Sequence, residues 1–175
     1  MILSLYKRRP GPASGSQVGF TLIELLVTLT ILAILAAASA PSFSDFIERS
    51  RIRSYADDLA SAFRIARGEA IKRNDVVKVC ASSNGTSCGS TDGWEQGWIV
   101  LAGSTVIQRR SAISSGYRIA ASAASLDFKP SAVGATVTAL TVCRGNPDGA
   151  QERVVSINAT GRVRVTKTYT GACPD

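Results

Sequence analysis

The stretch 20–40, FTLIELLVTLTILAILAAASA, is apolar apart from a few hydroxyls and one acid, Glu24. As a helix, 21 residues rise about 30 Å, the thickness of a bilayer core. Lys7, Arg8 and Arg9 precede it and no acid does. The positive-inside rule then keeps the N-terminus in the cytoplasm, with a single crossing. Ala38-Ser39-Ala40 resembles a signal peptidase box. Against a plain secretory signal, Pro41 would stand directly after the cut, where its fixed backbone is awkward. A carboxylate inside the run is also costly in lipid unless it finds a partner, and a disposable signal has no use for one.

Beyond Pro41 the helix is expected to continue, with a kink or a loosened turn. Phe43, Ile47, Tyr55, Leu59, Phe63, Ala66 and Ala70 recur about every four residues and form one apolar stripe for docking on a sheet. Arg49, Arg51, Arg53, Asp57, Asp58, Arg64, Arg67 and Lys72 occupy other positions and read as a solvated face. Asn74-Asp75 ends the helix. From residue 76 the apolar period becomes two. Strands are predicted over 76–82, 97–101, 106–109, 117–120, 126–129, 136–143, 153–157 and 162–168, short, β-branched and separated by turn residues. The fold class is therefore α+β: a long N-terminal transmembrane helix packed on small antiparallel β-sheets. Its segments are a basic stretch 1–19, which the resemblance named below makes a leader, 20–40 as the transmembrane helix, 41–74 as its continuation and 75–175 as an exported β-rich domain. Trp94 and Trp98 flank a turn shaped by Gly93 and Gly97, and cap the core rather than stack on a ligand.

Composition narrows the function. There is no histidine, which removes the commonest general base and metal ligand. No catalytic residue, metal or cofactor is expected, and the chain does not read as an enzyme. The formal net charge is +7, but without residues 1–19 the balance is 17 basic to 13 acidic, weak support by itself for a polyanionic partner. The cysteines are Cys80, Cys88, Cys143 and Cys173, with no C-x-x-C. An even number in an exported domain suggests two disulfides and an oxidising compartment. Asn84-Gly85 between the first two is a strong turn signal, so Cys80–Cys88 is expected as a local bridge and Cys143–Cys173 by elimination, among three formal pairings.

Gly19-Phe20-Thr21-Leu22-Ile23-Glu24 resembles the processing motif of type IV pilins and type II secretion pseudopilins. The resemblance implies that a prepilin peptidase cuts after Gly19 and methylates Phe20. Glu24 becomes the fifth residue of the mature chain, and Pro41 falls at a common proline position. It further implies a single-pass subunit of a bacterial inner membrane with its C-terminal domain in the periplasm. Such a subunit is drawn into a filament beside other pilin or pseudopilin subunits, where Glu24 meets the first amine of a neighbour. Arg67, Ala70-Ile71-Lys72-Arg73-Asn74, Val79-Cys80, Trp94-Glu95-Gln96-Gly97-Trp98-Ile99-Val100 and Gly161-Arg162 resemble the FimT/GspH minor pilin branch. Leu101-Ala102 departs mildly from it.

In Gly161-Arg162-Val163-Arg164-Val165-Thr166-Lys167, alternation turns Val163 and Val165 to the core and Arg162, Arg164 and Thr166 outward. Two arginines about 7 Å apart suit neighbouring backbone phosphates. Arg144, Arg153 and Lys167 would widen the patch. The competing reading is a solvated strand with charges that protect an edge. The G-R-x-R element resembles the DNA-binding element of FimT-type minor pilins, mapped onto Gly161, Arg162 and Arg164. It implies sequence-independent DNA binding for DNA uptake in natural transformation. The alternative is a GspH-like pseudopilin of type II secretion, or a pilus-tip initiation subunit, that does not touch DNA.

Overall fold

The computed structural model describes residues 19–89, 93–131, 135–145 and 152–168, and side chains at 38–42 are not described. The chain divides into two units, Met1–Phe43 and Ser44–Asp175. Helix α1 runs over Leu22–Arg73 and is helical through Pro41. Its start is fixed by a reciprocal cap. Thr21 donates its N–H and its hydroxyl to Glu24 Oε2, both at 2.9 Å, and Thr21 Oγ1 accepts from the Glu24 N–H at 3.3 Å. That is the capping box, in which a T-x-x-E sequence satisfies orphan donors of the first turn. At the other end Asn74 adopts a left-handed φ of 53°. The Asp75 N–H then reaches the Ala70 carbonyl at 3.3 Å, a Schellman-type closure that spares an exposed carbonyl. In the last turn, a hydrogen bond from Arg73 holds the Glu69 carboxyl below its ordinary value.

Among the described residues no helix is long and apolar enough to cross a membrane. The apolar stretch expected to span, 20–40, enters the positions whose side chains are not described. The helical part with described side chains before them, 22–37, rises only about 24 Å.

Among the described residues the second unit contains eight strands: β1 (Val77–Ala81), β2 (Gly97–Ala102), β3 (Thr105–Ser111), β4 (Tyr117–Ala121), β5 (Ser125–Phe128), β6 (Thr138–Arg144), β7 (Glu152–Ile157) and β8 (Val163–Thr168). They form two antiparallel sheets, ordered β3-β2-β1-β5 and β4-β6-β7-β8. All eight lie where the period of two placed them, within two residues at each end. The single core takes Ile52, Tyr55, Ala56, Leu59, Ala60, Phe63, Ala66 and Ala70 from α1, with the inward side chains of both sheets. The expected stripe is corrected at its start: Phe43 is 66% exposed and Ile47 38%, so docking begins at Ile52. Phe63 is the pivot of the packing. Its ring lies edge-on to Trp94 at 6.3 Å and stacks with Phe128 at 6.0 Å. Trp94 and Trp98 are core residues, and the Trp94 indole donates to the Ala123 carbonyl at 2.9 Å.

The charges on the helix are only partly solvated. Asp58 pairs with Arg110 of β3 at 3.0 Å, Glu48 pairs with Arg144 of β6, and Arg67 reaches backbone carbonyls past the end of β5. Cys80 and Cys88 are bridged. Inside their loop Asn84 Oδ1 accepts the Thr86 and Ser87 N–H groups at 2.9 and 3.0 Å, with Gly85 in the left-handed region that the turn requires. A bridge closing so short a loop contributes about 2–3 kcal/mol by chain entropy. Cys143 also belongs to a disulfide; Cys173, its expected partner, lies outside the described residues.

Candidate polyanion interface

The hairpin joining β7 to β8 carries the candidate site. Gly161 has φ +77°, and its N–H donates to the Asn158 carbonyl at 2.9 Å. The Asn158 N–H donates to the Arg162 carbonyl at 3.2 Å. Asn158 Oδ1 accepts from the Arg162 N–H and the Thr160 hydroxyl, both at 2.8 Å. This pattern, with a left-handed glycine closing a short hairpin, fixes the register of the two strands. It leaves the Arg162 backbone fully engaged while its side chain stays exposed. Arg164 is exposed too. Both arginines line an open groove of about 650 Å³ with Val137, Ser156, Ile157, Asn158 and Val163.

Register separates the five expected cations. Side chains directly opposite in a sheet share a face. Val155 opposes Val165 and Ile157 opposes Val163 on the core side, so Arg153 opposite Lys167 belongs to that side, beyond the core's edge. Arg144 shares that face with Val142 and Leu140, which is why it meets Glu48 of α1. Arg164 opposes Ser156 on the outer face. Arg144, Arg153 and Lys167 therefore do not widen the patch made by Arg162 and Arg164: they sit on the opposite face, toward the far end of the hairpin. Alternation along β8 by itself puts Lys167 on the side of Val163 and Val165; for Arg144 and Arg153 on other strands it does not say which face they share, and register does.

At the N-terminal unit, Gly19 and Phe20 precede the cap and are exposed. Glu24 is held by Thr21 within its own chain, an arrangement available in the T-x-x-E pattern but absent from the reading of Glu24 as a partner for a neighbour alone. Asn158 was likewise missed as the residue that frames the hairpin; its signal was its place three residues before a hairpin glycine.

A family model described as type II transport protein GspH matches residues 55–161. The chain belongs to the GspH family. A second model, the prokaryotic N-terminal methylation motif, matches residues 16–40, the region of Gly19, Phe20 and Glu24. Among curated proteins, this GspH-family chain is 33% identical over 86 residues to the type IV major fimbrial protein FimA of Dichelobacter nodosus, covering 49% of the chain and 51% of that protein. It is 40% identical over 53 residues to the fimbrial protein EcpC of Eikenella corrodens, covering 30% of each. The chain thus spans about half of the length of the first of these curated relatives and under a third of the second. Among solved structures, the type IV minor pilin FimU of Pseudomonas aeruginosa superposes with a TM-score of 0.54 at 21% identity, covering 69% of this chain and 92% of that one. The fold is pilin-like.

Proposed function

We propose that this GspH-family chain is a minor pilin that is cut after Gly19, methylated on Phe20 and held in the bacterial inner membrane by its N-terminal helix. Its β-rich unit stands in the periplasm. It is drawn with other pilin or pseudopilin subunits into a filament and binds DNA there without sequence preference, in the service of DNA uptake. The observation that carries the DNA reading is the exposed pair Arg162 and Arg164 on one side of a rigid hairpin, beside an open groove. Two guanidiniums spaced along one strand match successive phosphates and carry no base-reading geometry.

The test uses the full chain in neutral detergent and a random-sequence duplex, titrated by fluorescence anisotropy. Few phosphates are within reach of two arginines, so the dissociation constant should be micromolar or weaker and should rise steeply with salt. Arg162→Gln combined with Arg164→Gln should remove most of the binding and leave the fold unchanged, because both side chains face solvent. A double variant that binds like the wild type moves the site to the helix arginines Arg49, Arg51 and Arg53. No binding by the wild type at low salt favours the second reading, a type II secretion pseudopilin, which the description of the matching family supports, or a pilus-tip initiation subunit.

A further inference from the structure

Arg67 leaves α1 and ends on two backbone carbonyls. Its Nη1 donates to the carbonyl of Lys129 and, at 3.1 Å, to that of Ser131, just past β5. The same side chain packs closely against the hairpin at Gly161. A Cβ placed on Gly161 would stand 2.9 Å from Arg67 Cδ and 3.0 Å from its Nε. Only glycine permits that approach, at a φ that already favours glycine. The hairpin is tied to the same region at a second point, where the Ala135 N–H donates to the Ala159 carbonyl at 3.3 Å and Ala135 bridges Phe128 of β5. Arg67 therefore braces the end of one sheet and the terminal hairpin of the other. Arg162 is the residue after the glycine on which it rests.

We propose that Arg67 is a positioning residue for the hairpin: it fixes the direction in which Arg162 and Arg164 project and does not itself contact the polyanion. The role at the interface rests on the DNA reading above; the bracing of the hairpin does not. A lysine retains the charge and the capacity to meet two carbonyls from one nitrogen, but it lacks the guanidinium Nε and plane that pack against Gly161 while Nη1 holds the carbonyls.

Amide hydrogen exchange and the same duplex titration, on the full chain in detergent, decide it with Arg67→Lys and Arg67→Met. In both variants the Gly161 and Arg162 amides should exchange about tenfold faster or more, the scale set by losing a charged hydrogen bond, while those of β1 and β2 keep their protection. Affinity for the duplex should fall several-fold in both, with the salt dependence unchanged. Unchanged exchange at the hairpin overturns the proposal. So does a uniform loss of protection across the unit, which would make Arg67 a general structural residue. Retained affinity in Arg67→Lys, with a salt slope shallower by about one in Arg67→Met, also overturns it, because Arg67 would then be a phosphate contact. If the wild type binds no DNA, the DNA reading falls and exchange alone decides: loosening confined to the hairpin upholds the bracing role, and its absence refutes it.

Discussion

Phe63→Ala should cost the β-rich unit about 3–5 kcal/mol, the range for removing a buried aromatic ring. Phe63 is fully buried and touches Trp94 and Phe128 at once. Its removal deletes apolar contact with both and leaves a void that the surrounding layers cannot close. The helix backbone is fixed on one side, and the paired strands β1 and β5 fix Phe128 on the other. A loss of this size is a large part of the whole stability of an ordinary domain. Denaturant titration followed by tryptophan emission reads the change directly, since Trp94 and Trp98 are both in the core. A shift below about 1 kcal/mol would mean that the helix is not the keystone of this core.

Glu24→Val should abolish or severely reduce incorporation into filaments while leaving membrane insertion intact. The substitution makes the apolar stretch more apolar, so insertion is not penalised. In the filament proposed above, it removes a carboxylate that would set register, since a buried charge needs its partner at one position only. It also removes the cap that Glu24 makes with Thr21, worth about 1 kcal/mol of helix stability. Glu24→Gln separates the two effects, because an amide oxygen still accepts from Thr21 but carries no charge. Assembly assayed by co-sedimentation with sheared filaments should fail for both variants. Normal incorporation of Glu24→Gln would show that the cap, and not the charge, is what assembly requires.

The strands were legible because each is a short β-branched run between turn residues, and alternation within 162–168 gave the inward Val163 and Val165 and the outward Arg164. Cross-strand register was not legible. It depends on hairpin geometry, such as the Asn158–Arg162 bonds, and it put Arg153 opposite Lys167 on the helix side. The helix stripe gave the buried face but not where burial begins, because periodicity in one element does not say how far the sheets extend along it; Phe43 and Ile47 repeat correctly and are nevertheless exposed. Arg67 looked like one more solvated cation, since nothing in a linear sequence brings residue 67 against residue 161. The motif at 19–24 was legible because adjacent residues carry it, and the methylation-motif match falls on the same stretch.

Intact-mass analysis of the protein taken from its native membrane tests the pilin reading most directly. The expected species begins at Phe20 and carries one added methyl group on its N-terminal amine. A mature chain beginning at Pro41, or a chain that keeps residues 1–19, would contradict it.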